Sequence, residues 1–180
     1  MRARFWEISG EIAYTQYRYT EAASSFTLER VYFLDSGNYI KAAYCSFVLG
    51  DILWRQDQYP AATAMLTQAR DELLILDKHA GFGPCPQGLG DVLFMQDKYI
   101  EASAMLTEAR DKFLERGDRL GATQCLQSLG DVLYAQLEFS KASTTLTQAR
   151  DEFLAMGGVL TAAQCLRTLG DVLRREKRYR

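Results

Sequence analysis

The five residues LGDVL stand at Leu89–Leu93, again at Leu129–Leu133 and again at Leu169–Leu173, and LGDIL stands at Leu49–Leu53. Each copy begins forty residues after the one before it. A fixed pitch marks a repeat architecture and is read before any local element. At that pitch the columns run the length of the chain. A glycine column comprises Gly10, Gly50, Gly90, Gly130 and Gly170, followed at once by Glu11, Asp51, Asp91, Asp131 and Asp171. An aromatic column follows at Tyr19, Tyr59, Tyr99, Phe139 and Tyr179. Then come alanines (Ala22, Ala62, Ala102, Ala142), apolar residues (Phe26, Leu66, Leu106, Leu146) and arginines (Arg30, Arg70, Arg110, Arg150). These columns divide the chain into units of about 1–37, 38–77, 78–117 and 118–157, with a final single helix over 158–180, all within one repeat domain.

Each full unit reads as two helices. Leu126, Leu129 and Leu133 fall at i, i+3 and i+7, one helical stripe. Ala142, Leu146, Ala149 and Phe153 form a second stripe, and the break between the two lies near Leu137–Ser140. Pro60, just after Tyr59, fits the first turn of a helix. Ser36-Gly37, Gly117 and Gly157-Gly158 fit the end of the second helix. Alternating Val/Ile/Thr runs with Asn-Gly turns are missing, so the chain is expected to be all-α. One helix pair cannot bury its own apolar stripe, and pairs stacked at a fixed pitch make a solenoid. A glycine inside a helix costs about 1 kcal/mol against alanine. Its recurrence in every unit therefore points to a close approach by the partner helix, with the small alanine column as the expected complement.

Composition narrows the function classes. Apolar residues are 48% and charged residues 24% of the 180, which is globular rather than disordered. A formal net charge of −2 provides no electrostatic footprint for nucleic acid. No apolar run reaches the roughly 18 residues of a membrane span, and MRARFWEISGEIAY carries no apolar signal core. The expected setting is cytoplasmic, with no membrane partner and no cofactor. All four cysteines share one column, Cys45, Cys85, Cys125 and Cys165. Neighbouring helix axes lie about 8–10 Å apart, beyond the roughly 7 Å that disulfide Cα atoms tolerate. The spacing is also wrong for a metal site. Buried thiols in a reducing compartment are expected. The single histidine, His79, has only Cys85 as a prospective nucleophilic partner, and nothing in the sequence orients the pair. No enzyme is read from this chain.

The Leu-Gly of the first helix, the turn aromatic, an alanine three residues on, an apolar residue four further and an alanine three beyond that resemble the tetratricopeptide repeat (TPR) family. Unit four shows the pattern as Leu129, Gly130, Phe139, Ala142, Leu146 and Ala149. The forty-residue pitch, against thirty-four in the common repeat, is similar to that of kinesin light chains and of Leu-Gly-Asn repeat regulators. The proline that commonly closes the second helix is absent. The resemblance implies a right-handed TPR-like α-solenoid whose first helices line a concave groove for a partner's peptide or helix. It carries over to the residue after each glycine and to those three further on and three before it. The implied groove set is Asp51, Trp54, Gln87, Asp91, Phe94, Gln127, Asp131, Tyr134 and Asp171. Glu7, Phe47, Tyr14, Arg167 and Arg174 extend the same columns.

Several readings stay open on sequence alone. The aspartates either select a basic or amphipathic segment or pair with the arginine column of a neighbouring second helix. The aromatics at Trp54, Phe94 and Tyr134 either anchor a partner or pack between first helices. AGFGPCPQGLGD (Ala80–Asp91) breaks the pattern and predicts a first helix that starts a turn late, near Pro86. The basic LRREKRYR (Leu173–Arg180) is either a nuclear-localisation or acidic-partner patch, a polar cap or the edge of a longer array. The function class is a non-catalytic protein-interaction scaffold. The alternative is an autoregulatory sensor segment of a larger NB-ARC/NACHT-type signalling ATPase. No GxxxxGK[ST] phosphate loop occurs, so the chain itself is not the ATPase part.

Overall fold

The computed structural model describes residues 2–76 and 83–179, with the helical backbone alone at 2–5, 7, 178 and 179. His79 and Gly81 lie outside the described residues, as does the side chain of Glu7. The described residues form nine helices and no strand: α1 (Arg2–Thr15), α2 (Tyr19–Asp35), α3 (Tyr39–Arg55), α4 (Tyr59–Leu76), α5 (Pro84–Met95), α6 (Tyr99–Glu115), α7 (Arg119–Ala135), α8 (Phe139–Ala155) and α9 (Val159–Tyr179). Odd-numbered helices carry the glycine motif, as Ser9-Gly10 in α1 and Leu-Gly in the others, and even-numbered ones the alanine–apolar stripe, with Phe26 in place of leucine in α2. Each even-numbered helix packs against the first helix of its own unit and against that of the next. The result is a tetratricopeptide-like α-solenoid.

The turns show a periodicity that the sequence conceals. Positive φ occurs at Tyr17, Gly37, Asp57, Asp97, Gly117, Leu137 and Gly157. These positions are spaced in steps of twenty, with 77 outside the described residues. Each turn closes in the same way. At the first, the Arg18 amide donates to the Ala13 carbonyl at 2.8 Å and the Tyr17 amide to Tyr14 at 3.0 Å. This pair of bonds satisfies helix-end carbonyls that otherwise have no partner. Glycine takes the left-handed position at 37, 117 and 157. Within units, Tyr17, Asp57, Asp97 and Leu137 adopt it despite their side chains.

The glycine column sits where a leucine is driven into the helix. A Cβ on Gly130 would lie 2.5 Å from Cγ of Leu146, one on Gly90 2.5 Å from Cγ of Leu106, and one on Gly50 2.7 Å from Cγ of Leu66. In unit one, the Phe26 ring stands 3.1 Å from the equivalent point on Gly10. The complement of the glycine is thus the apolar column of the second helix, not the alanine column expected from sequence. The alanines one turn away, Ala62, Ala102 and Ala142, are fully buried and let the two backbones close. Around the motif, Ile52, Val92 and Val132 are buried as well. In LGDVL the glycine is the socket and the valine is core, while the aspartate next to the glycine turns to the edge of the helix that meets the following first helix.

Three further expectations meet the structure here. Helix α5 begins at Pro84, near Pro86 as expected. The four cysteines are free and buried. The arginine column does not reach the aspartates. Arg30 donates to Ser46 Oγ at 2.7 Å and to Glu72 at 3.2 Å, while Arg70 and Arg150 each hold the aspartate next in sequence.

Candidate functional site

First helices also touch one another along the array, α3 with α5, α5 with α7 and α7 with α9. Their common face carries the acidic and aromatic columns. Between α1 and α3 it opens into a cavity of about 330 Å3, lined by Glu11, Tyr14, Phe26, Tyr44, Phe47 and Asp51 among others. Between α3 and α5 lies a second cavity of about 210 Å3, lined by Phe47, Asp51, Trp54, Arg55, Gln87 and Asp91 with Pro84 and Gly88. The two adjoin, with Phe47 and Asp51 in the walls of both, and together make a trough along this face.

Asp51 is the hub of that trough. It accepts hydrogen bonds from the Tyr14 hydroxyl and, at 2.9 Å, from Nε of Arg55, which also donates to the Tyr14 oxygen at 2.8 Å. The Arg55 guanidinium stacks over the Tyr14 ring and over the Trp54 ring, 5.4 Å from each centroid. Burial and then the neighbouring carboxylate push the Tyr14 hydroxyl up to about 12. The next aspartates find different partners. The Ser128 hydroxyl faces Asp91 and the Thr168 hydroxyl faces Asp131, each favouring the charged form of the carboxylate it faces. Both hydroxyls stand on the following first helix, thirty-seven residues on. The residue thirty-seven past Asp51 is Gly88, which has no hydroxyl to offer. Asp51 therefore turns to Tyr14 and Arg55 instead. Asp171 pairs with Arg174 within its own helix.

Electrostatics follow the burial. The Asp91 carboxyl is raised to about 6, first by burial and then by the charges of Asp131 and Asp51, against the Ser128 bond that lowers it. Burial raises Asp131 too, and the nearby Arg167 opposes it. The cysteine thiols beneath are also displaced: burial pushes Cys85 and Cys125 up to about 12 and raises Cys165. No group of acidic, histidine or cysteine residues suited to a metal occurs among the described residues.

The aromatic column is committed in part to its own unit. Phe94 packs on Tyr99 with centroids 5.9 Å apart and Tyr134 on Phe139 at 6.2 Å, while Arg175 caps the Tyr134 ring at 5.1 Å. Of the residues read from sequence, Asp51, Trp54, Gln87 and Asp91 share one cavity. Phe94, Gln127, Asp131, Tyr134 and Asp171 lie further along the array and outside it. Sequence columns missed Tyr44, Arg55, Gly88 and the two hydroxyls. Ser128 and Thr168 sit one pitch apart, a recurring small hydroxyl that was legible as a column.

No protein-family model matches the chain, and neither does any curated protein sequence. Solved structures do match by shape. The apo form of RapI superposes with a TM-score of 0.75 at 12% identity, covering 98% of this chain and 85% of that one. The Rap conjugation gene regulator of plasmid pLS20, in complex with the Phr* peptide, gives 0.65 at 18% identity, covering 97% of this chain and 54% of the regulator. The nearly identical TPR-like repeats of a kinesin-light-chain-type protein from Podosopora anserina give 0.69 at 11% identity, covering 98% and 97%. The chain thus shares a fold with TPR-like repeat proteins and spans little more than half of the plasmid regulator. No described helix is long and apolar enough to cross a membrane.

Proposed function

We propose that the chain is a non-catalytic scaffold that holds a peptide segment of a partner protein along the face of its first helices. The observation that carries this reading is the pair of adjoining cavities across α1, α3 and α5, with aromatic walls at Tyr44, Phe47 and Trp54 and carboxylates at Glu11, Asp51 and Asp91. Large aromatics beside a few polar groups are the usual make-up of an interaction hot spot. Carboxylates on the rim select a basic or amphipathic segment and speed its encounter. The plasmid regulator of similar fold is itself described in complex with a peptide, which supports the reading by analogy of shape. The expected ligand places an apolar side chain in the α1/α3 cavity and a cationic one near Glu11. The other site residues, Gln127, Asp131, Tyr134 and Asp171, extend the track.

The test is selection of peptides from a random library on the immobilised chain. The affinities of the winners are then measured for the parent, Tyr44→Ala and Glu11→Lys. Both side chains are exposed, so the fold survives their loss. Losses of about tenfold or more, close to 1.4 kcal/mol, with unchanged helicity and melting would support the reading. Peptides that bind all three chains alike would sink it.

A further inference from the structure

The four aspartates of the column differ in their countercharges. Asp51 holds Arg55 at 2.9 Å, Asp171 pairs with Arg174, and Asp131 lies in the field of Arg167. Among the described residues no cation acts on Asp91. The charges that reach its carboxyl are those of Asp51 on α3 and Asp131 on α7, both of its own sign. The sequence shows why. Four residues past Asp51 stands Arg55, whereas four past Asp91 stands Met95. Thirty-six past Asp131 stands Arg167, whereas thirty-six past Asp91 stands Gln127. At Asp91 neutral side chains fill both of these places.

Asp91 also stands beside open space. It is half-buried in the wall of the α3/α5 cavity of about 210 Å3, together with the Phe47 and Trp54 rings, Leu66 and the Gln87 amide. That volume has room for one long side chain. The rings and Leu66 offer apolar surface to an aliphatic stem and π faces to a cationic head, and the Gln87 carbonyl is a further acceptor. Arg55 lines the same cavity, but Asp51 already meets its charge. We propose that this cavity takes a lysine or arginine side chain of the partner peptide, and that Asp91 selects that residue by giving it the one carboxylate of the column that the array leaves without a cation. A carboxylate out of water beside like charges is costly to the fold, so the incoming charge has more to gain here than at Asp51. The inference rests on the scaffold reading and adds a position to it. An apolar side chain enters the α1/α3 cavity, one cation lies near Glu11, and a second cation fills the α3/α5 cavity.

The test takes the peptides selected from a random library on the immobilised chain and replaces each of their basic residues in turn by norleucine. Fluorescence anisotropy then measures every peptide against the parent and three variants. The expected result is one lysine or arginine whose replacement weakens binding to the parent about tenfold, close to 1.4 kcal/mol, and leaves binding to Asp91→Asn almost unchanged. Asp91→Asn keeps an acceptor toward Ser128 and the fold with it. Met95→Arg, at an exposed position, rebuilds on α5 the i,i+4 pair that Arg55 makes with Asp51, and should also cancel the contribution of that residue. Asp131→Asn makes the same change at a carboxylate outside the cavity that Arg167 already serves, and should leave the contribution intact. Selected peptides without a basic residue overturn the inference. So does a basic residue whose contribution survives both Asp91→Asn and Met95→Arg, or one that Asp131→Asn cancels equally, which would trace it to the overall charge of the face. If Tyr44→Ala still weakens those peptides, the scaffold reading stands without the inference. Peptides indifferent to both Tyr44→Ala and Glu11→Lys sink the two together.

Discussion

Replacing Gly130 with alanine sets two effects against each other that the structure makes separable. Alanine gains about 1 kcal/mol over glycine in a helix interior. Against that, the new methyl would stand 2.5 Å from Cγ and 2.6 Å from Cδ2 of Leu146. Leu146 is fully buried, with Ala142 and Ala149 fully buried on either side of it, so the contact is with the branch point of a fixed side chain rather than a free end. Overpacking of a filled core costs about 1–3 kcal/mol, and a contact this short belongs at the upper end of that range. The net expectation is a destabilisation of about 1–2 kcal/mol. Gly170→Ala makes the same chemical change in the same motif, where nothing lies within 4 Å, and should stabilise by about 1 kcal/mol. For a chain of this size each kcal/mol moves Tm by about 2–4 °C, so the two variants should melt on opposite sides of the parent. Thermal and urea unfolding followed by circular dichroism measures both. The pair Gly130→Ala with Leu146→Ala should cost less than the sum of its parts, because the enlarged cavity accepts the methyl. Equal shifts of the same sign at 130 and 170 would refute the socket as the reason for the glycine column.

Three other perturbations have expected outcomes. Leu137 is half-exposed and held at φ 64°, the position glycine takes at 37, 117 and 157. Leu137→Gly removes left-handed strain of about 1–2 kcal/mol but loosens the unfolded chain by up to about 1 kcal/mol, so Tm should rise slightly, and a fall would show that the side chain contributes contacts. Asp91 has a carboxyl raised from 3.8 to about 6. Its contribution to stability is therefore full below pH 4 and lost as pH rises through 6, and Asp91→Asn, which can still accept from Ser128, should stabilise the chain by on the order of 2 kcal/mol at pH 7 yet not at pH 4, as read from urea midpoints at the two pH values. The four thiols, all buried and with Cys85, Cys125 and Cys165 raised, should give no reaction with a disulfide reagent at pH 8 in the folded chain and four equivalents in guanidinium; a fast-reacting thiol in the native state would mean that the helix pairs open readily.

The fold was legible because the same contact is written several times over. One Leu-Gly in one helix means little, whereas Gly50, Gly90 and Gly130 at one pitch with Leu66, Leu106 and Leu146 at another define a packed pair. Column alignment gave the partners of the glycine only to within one helical turn. The alanines at 62, 102 and 142 and the leucines four residues on lie on the same stripe, and only coordinates separate the one that inserts from the one that lets the backbones close. The twenty-residue backbone period was hidden for a different reason. Tyr17, Asp57, Asp97 and Leu137 share no chemistry, yet the hydrogen-bonded turn imposes one φ on all of them. The site was less legible, because side-chain pairs between units depend on what stands thirty-seven residues away rather than forty. Asp91 with Ser128 and Asp131 with Thr168 lie off the column alignment, as does the Tyr14–Asp51 pair at the same separation.

That off-register pairing bears on where along the array recognition belongs. Where a hydroxyl is available on the next helix, it faces the aspartate and links two units. At Gly88 the hydroxyl is missing, and the glycine itself stands in the wall of the second cavity. Two consequences arise from that one residue. Space opens between α3 and α5, where the second cavity lies, and Asp51 is released to gather Tyr14 and Arg55 on its own side. The late start of α5 at Pro84 adds to the same gap, since Pro84 itself lines the cavity. The departures from the repeat, at Gly88, Pro84 and the Asp51 cluster, converge on the trough. In a chain built by repetition, positions that break the pattern together and meet in space are the ones that repetition alone does not require, and they are where a ligand has most to read.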